Sequence, residues 1–386
     1  MVFIIFAQTL KKLMEQLKIG VLGGGQLGAM LIRHAIDFGL NISVMDKSLD
    51  APCARYTSSF HLGNPMNYQD VLDFGKNMDI ITIEIEAVNT KALRELSNNG
   101  VKVFPSPETI EIIQNKHSQK KFLENAGIPV APSVLVNNKS ELYGLVNNLP
   151  GCLKLCSNGY DGKGVMIIRS AQDIEKAFDE PSILEELVDI KHEISVIVAR
   201  NENGQVDCYD PVMMIFNKER MLLDYQLCPA DIPDETVAEA RNIAIKTAEA
   251  LKLTGILAVE MFITNDGKLL VNELAPRPHN SGHHTIEAAV TSQYEQLLRV
   301  IMGWPLGSTK LTNSSVMMNV LEPAASEKKN MEKALVSILG LEDVHLHWYG
   351  KKGGSEGRKM GHITITDDTV EKALSKAATI RNILKA

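Results

Sequence analysis

Residues 18–23, KIGVLG, run as a buried-strand pattern straight into the turn Gly23-Gly24-Gly25-Gln26-Leu27-Gly28. Glycines at this spacing let a helix N-terminus pack tightly against the strand it leaves, because no Cβ stands between them. The helix is legible in Leu27, Met30, Leu31, Ala35 and Phe38, with Gly39 as its stop. Residues 41–46, NISVMD, give the next strand and end on Asp46, near the distance at which a dinucleotide-binding βαβ unit contacts a ribose. The pattern commits this part of the chain to a parallel α/β unit. It says less about a ligand, since such glycines also serve packing and a helix N-terminus can hold any phosphate. His34 lies on or beside the apolar face, where a satisfied core histidine is expected. A further strand over residues 80–86 carries Glu84 and Glu86 on one face, and Glu86 is the better placed to meet a cleft. Ser106 and Pro107 then read as a helix cap and first helical residue.

At 386 residues the chain has room for two or three domains. A hydrophobic content of 45% supports substantial cores, and a net charge of −7 without a basic run gives no reason to expect a nucleic-acid partner. Five cysteines (Cys53, Cys152, Cys156, Cys208, Cys228), none in a C-x-x-C pair, suit free thiols in a reducing cytoplasm and argue against structural zinc. The opening MVFIIFA is too short an apolar run to span a membrane, so no membrane partner is expected. Residues 1–17 read as an extension, with Met14 a candidate natural start.

The richest chemistry lies in residues 259–285, VEMFITNDGKLLVNELAPRPHNSGHHT. Asp266-Gly267 between two apolar runs predicts a hairpin with a two-residue type I′ turn. Counting outward pairs Asn265 with Lys268, Phe262 with Val271, and Glu260 with Glu273. Facing carboxylates repel across a sheet unless a cation lies between them, and oxygen ligands suit Mg²⁺. The following loop crowds Arg277, His279, Asn280, Ser281, His283 and His284 between Pro276, Pro278 and Gly282, as an active-site rim would. Upstream, residues 151–156, GCLKLC, read as a strand carrying a buried lysine, Lys154. The loop SNGYDGKG and a returning strand follow, so backbone N–H groups and Lys163 can wrap phosphates. Residues 183–188 and 192–200 read as strands, and a long amphipathic helix starts near Asp234. After Trp304, short β runs and a closing helix suggest a small β-rich third domain, in which His345 and His347 share a strand face. Two such histidines without a third ligand are expected to be structural.

The glycine loop after a strand lysine, the paired glutamates and the preceding parallel α/β unit together resemble the ATP-grasp superfamily. Within it the chain is similar to the family of N5-carboxyaminoimidazole ribonucleotide synthetases. The carriers are GGGQLG (23–28), GYDGKG (159–164), NELAPRPHNSGHHT (272–285) and HLHWYGK…GRKMGH (345–362). The resemblance implies mixed α/β and α+β architecture. A Rossmann-like pre-ATP-grasp domain would span 18–107, an ATP-grasp domain 108–308 and a small β-rich C-terminal domain 309–386. It implies ATP as nucleotide, Mg²⁺ as cofactor, bicarbonate and aminoimidazole ribonucleotide as further substrates, and a homodimer. Lys116 and Lys154 would hold phosphates under a lid formed by Gly159, Tyr160, Asp161, Gly162, Lys163, Gly164 and Val165. Glu185, Glu186, Leu187 and Val188 would hold adenine, Glu193 the ribose, and Asn217, Asn272 and Glu273 further nucleotide atoms. Glu260 and Glu273 would bind the metal. Tyr160, Asp161, Lys163, Arg277, His279, Asn280, Lys351 and Arg358 would face the ribonucleotide and bicarbonate, with Arg277, Asp161 and His279 catalytic.

The chain departs from the family pattern in three places: Ala275 replaces a common asparagine, Met214, Ile215 and Asn217 replace a Glu-Asn-x-His run, and Ser355-Glu356 replaces Arg-Pro. The competing readings are a formate-dependent ATP-grasp transformylase, an NAD-dependent oxidoreductase built on GGGQLG and Asp46, and a non-enzymatic nucleotide-binding regulator.

Overall fold

In the computed structural model, residues 17–157, 159, 164–217, 222–323 and 328–385 are described. The first unit is a five-stranded parallel sheet in the order Phe60–Leu62, Ile42–Asp46, Ile19–Leu22, Ile80–Ile83, Lys102–Phe104. The helix Gln26–Asp37 leaves the central strand through the glycine turn. Its N-terminus does not wait for a phosphate. Glu84 accepts the Leu27 N–H at 3.1 Å, and a Cβ on Gly25 would lie 2.3 Å from the same carboxylate. Asp46 accepts the Gly24 N–H at 2.8 Å. The acid expected at a ribose thus fixes the turn, and a buried carboxylate fills the helix N-terminus where pyrophosphate would sit. The dinucleotide reading of this motif is therefore corrected. The strand also ends at Ile83, so Glu84 and Glu86 lie beyond it.

The second part is built on a sheet of nine strands among the described residues. Its order is Leu269–Ala275, Gly255–Thr264, Ile190–Arg200, Val212–Asn217, Leu222–Cys228, Ser314–Leu321, Lys359–Asp367, Val344–Trp348, with Val206–Cys208 pairing on Ile190–Arg200. The strands after residue 313 extend this sheet through Leu222–Cys228. The strand Gly255–Thr264 explains its own unbroken apolar run, because both faces are covered. Leu257, Val259 and Met261 join the core beneath the helix Asp234–Ala250, and Ile256 packs toward the helix Gln293–Ile301. On that second face the apolar side chains stop at Ala258, and Glu260 and Phe262 continue into a cavity.

The hairpin turn differs from the two-residue expectation. Thr264 pairs with Lys268 across three loop residues, with Gly267 at φ +82, and Phe262 faces Leu270 instead of Val271. A β-bulge at Asn272 then restores the pairing of Glu260 with Glu273. The extra loop residue shifts the register by one, and the bulge shifts it back.

A separate four-stranded antiparallel sheet, ordered Ser133–Val136, Ser182–Glu186, Gly151–Leu155, Val165–Ile168, carries the glycine loop. The helix Lys116–Asn125, capped by Asn115, docks on it through a bond from the Lys116 N–H to the Cys156 carbonyl, 2.8 Å. No helix among the described residues is long and apolar enough to cross a membrane.

Candidate active site

A cavity of about 560 Å³ lies between the small sheet and the nine-stranded sheet. One end is cationic and polar. The Asn272 bulge turns two consecutive residues toward the cavity, which regular alternation would forbid. Asn272 accepts from Lys154 Nζ at 2.8 Å, and Glu273 pairs with Lys116 Nζ at 2.7 Å. Lys154 also meets Glu185 at 2.8 Å, and Lys120 meets the other oxygen of Glu185 at 2.7 Å. Apolar side chains also wall the cavity, among them Ile167, Leu187, Met214 and Leu223, beside Glu186 and Val188. Burial pushes Glu193, which also lines it, up to about 6.

Glu260 stands between the two ends. Burial, then the nearby Glu273 and Glu193 charges, push its carboxyl up to about 8. Burial and the Arg277 charge lower His279 to about 3. Its Nε2 lies 3.5 Å from Glu260 Oε1, so the imidazole faces that carboxyl. The His279 backbone is clamped by Gln293, which accepts its N–H at 2.9 Å and donates to its carbonyl at 2.8 Å. Gly282 leaves room for this clamp; a Cβ there would lie 2.4 Å from Gln293 Oε1. His279 Nδ1 bonds Ser281 Oγ at 2.9 Å, which fixes the ring. Arg277 Nε lies 2.8 Å from Glu86 of the first unit, so an acid beyond one sheet aims a guanidinium that leaves another. Asn280, Ser281 and Lys359 complete this end.

The fold thus gathers Lys116, Lys154, Gly159, Val165, Glu185, Glu186, Leu187, Val188, Glu193, Glu260, Asn272, Glu273, Arg277, His279 and Asn280 around one cavity. Gly164, at φ +81, closes the strand pair beside it through a bond from the Leu155 N–H, 2.9 Å. Tyr160, Asp161, Gly162 and Lys163 lie outside the described residues, as does the side chain of Asn217 in its strand. Lys351 and Arg358 are not among the lining residues. Lys351 donates to the Lys359 carbonyl at 2.9 Å, and Arg358 to the Gly353 carbonyl at 2.6 Å. Their neighbour Lys359 lines the cavity. His347 meets Glu287 at 2.8 Å and stacks on His362, while His345 is exposed. Among the described residues no group of three or more His, Cys, Asp or Glu forms a metal cage. Glu260 and Glu273 nonetheless fit Mg²⁺, which takes one or two carboxylates and completes its shell with phosphate oxygens and water. Sequence reasoning did not find Lys120 or Gln293, although Lys120 stands one helical turn after Lys116.

The ATP-grasp domain family matches residues 121–294, the ribonucleotide synthetase preATP-grasp domain residues 16–114, and the phosphoribosylaminoimidazole carboxylase C-terminal domain residues 315–376. The chain is 39% identical over 353 residues to the N5-carboxyaminoimidazole ribonucleotide synthase of Bacillus subtilis, covering 90% of each. This chain belongs to the N5-carboxyaminoimidazole ribonucleotide synthase family. Membership of this family makes it an ATP-grasp ligase, and the oxidoreductase reading falls away. The crystal structure of the synthetase from Thermotoga maritima superposes at a TM-score of 0.86 with 39% identity, covering 95% of this chain and 98% of that one. The family's synthase from Aspergillus clavatus, solved in complex with ADP and 5-aminoimidazole ribonucleotide, gives 0.88 at 31% identity, over 95% of this chain and 98% of that one. A Candida glabrata phosphoribosylaminoimidazole carboxylase is 34% identical, and this chain spans 65% of its length.

Proposed function

We propose that this enzyme converts 5-aminoimidazole ribonucleotide, bicarbonate and ATP into N5-carboxyaminoimidazole ribonucleotide, ADP and phosphate, a step of purine biosynthesis. One observation carries the reading at the level of chemistry. A single cavity joins a lysine-rich end, suited to a nucleoside triphosphate, to an end lined by Arg277 and His279. Phosphoryl transfer needs positioning and charge neutralisation, which Lys116, Lys154 and the loop backbone provide. A bicarbonate oxygen attacks the γ-phosphorus and displaces ADP, giving carboxyphosphate. Arg277, aimed by Glu86, holds the planar oxyanion through its fork of N–H donors. The amine nitrogen then bonds to the carboxyl carbon as phosphate leaves. Asp161 or His279 accepts the amine proton and passes it on to the departing phosphate. Exclusion of water preserves carboxyphosphate between the two steps.

Glu260 and Glu273 would hold a Mg²⁺ that neutralises phosphate charge during transfer. Lys359 is the cation we assign to the ribonucleotide phosphate. Lys351 supports it through the Lys359 carbonyl, and Arg358 braces the preceding loop. The domain limits proposed are those of the sequence, 18–107, 108–308 and 309–386. A cytoplasmic homodimer is the assembly proposed, and sedimentation velocity tests it. ADP release is expected only when ATP, bicarbonate and aminoimidazole ribonucleotide are all supplied. Equal ADP release with formate and glycinamide ribonucleotide would favour the transformylase reading, and nucleotide binding without turnover the regulator.

A further inference from the structure

Beside the cavity, and not lining it, Lys120 is 4% exposed and contacts Glu185 Oε1 at 2.7 Å. The other oxygen of Glu185, itself 4% exposed, meets Lys154 at 2.8 Å, and Lys154 reaches onward to Asn272 in the cavity. One buried carboxylate therefore faces two ammonium groups. A Glu185–Lys154 pair alone would be neutral, and Lys154 would spend its charge on Glu185. With Lys120 present the three groups carry a net charge of about +1, and the lysine that meets the cavity is the one able to present it. The helix reinforces the arrangement. Lys116 and Lys120 are one turn apart on Lys116–Asn125, so the ion pair of Lys120 with Glu185 lies one turn from that of Lys116 with Glu273. Burial alone would raise Glu185, yet the facing Lys154 and Lys120 hold it below the usual carboxylate range. Burial lowers Lys120, and Glu185 opposes that shift.

We propose that Lys120 is a positioning residue that never touches the nucleotide but supplies the surplus positive charge presented by Lys154 to its phosphates. This rests on the nucleotide reading given above, and the test separates the two. Affinities of ADP and adenosine are measured by calorimetry on the full-length enzyme and its variants. Wild type should prefer ADP; equal affinity for both would end the nucleotide reading itself, and this proposal with it. Lys120→Met should cut the ADP preference by about one to two orders of magnitude, the scale of one charge acting over several ångströms at an effective dielectric near 20. Adenosine affinity in Lys120→Met should stay within about threefold, because adenosine is uncharged and Lys120 does not line the cavity. Lys120→Arg should keep the preference. The double variant Lys120→Met/Glu185→Gln restores a net charge of +1 and should recover most of it. Circular dichroism and gel filtration check each fold; if Lys120→Met does not fold, the double variant and Lys120→Arg against Lys120→Gln carry the same comparison. Equal weakening of ADP and adenosine would assign Lys120 a packing role, and an unchanged ADP preference would remove it from nucleotide binding altogether. Either result overturns the proposal.

Discussion

The contact between Glu86 and Arg277 joins the parallel sheet unit to the strand end that carries the proposed bicarbonate site. Glu86→Gln keeps the side chain's size and an oxygen to accept from Arg277 Nε, but removes the charge. The two side chains are 28% and 18% exposed, so solvent screens the pair only in part. A charge-assisted hydrogen bond contributes about 1.5–3 kcal/mol and a neutral one about 0.5–1.5, so the substitution should cost about 1–2 kcal/mol of ordering at Arg277. If that ordering is felt in the transition state, kcat/KM for bicarbonate falls about 5- to 30-fold. The KM for ATP should move less than about twofold, since Arg277 stands apart from the lysine end. Initial rates from coupled ADP release, with bicarbonate varied at saturating ATP and ribonucleotide, read the effect. A double-mutant cycle with Arg277→Gln should return a coupling of similar size. Two results would refute the reasoning: a Glu86→Gln enzyme within twofold of wild type, or an ATP KM that shifts as much as the bicarbonate term.

Glu273→Gln should fold normally and lose about two or more orders of magnitude in kcat, consistent with removal of a metal-ligating carboxylate; turnover near wild type would exclude the metal assignment. Lys359→Met should raise the ribonucleotide KM by about one to two orders of magnitude, from loss of a charge-assisted phosphate contact, whereas Arg358→Ala should change it less. The reverse order would return Arg358 to the site. His284 is buried, and burial lowers its pKa to about 4 despite its bond to the Ser281 carbonyl. Because the unfolded chain takes up this proton near pH 6.5 and the folded one near 4, stability from His284 is present above pH 6.5. It should fall by about 3 kcal/mol as pH drops to 4. Glu84, raised by burial to about 7, works in the opposite sense, since its contribution is lost as pH rises through 7. The urea midpoint of wild type should therefore fall more steeply between pH 6.5 and 4 than that of His284→Asn, and parallel slopes would count against the assignment.

The amino-acid sequence decided what depends on neighbours along the chain. The glycine turn after KIGVL, the Ser106 cap, the hairpin around Asp266-Gly267 and the apolar stripe of Gln26–Asp37 follow from local dihedral freedom, capping and periodicity. Motif spacing was enough to single out Lys154, Glu260, Glu273, Arg277 and His279. Tertiary structure decided what those groups touch. Whether GGGQLG holds a phosphate depended on Glu84, nearly sixty residues later, already occupying the helix N-terminus. Whether Glu260 faces Glu273 depended on a loop and a bulge whose one-residue shifts cancel. The Lys120–Glu185–Lys154 triad and the Glu86–Arg277 pair link segments distant in sequence, and a lysine's periodicity does not reveal which carboxylate will meet it. Local forces set the elements, but charges and protons respond to whatever burial brings within a few ångströms, and that is fixed only when the sheets close on one another.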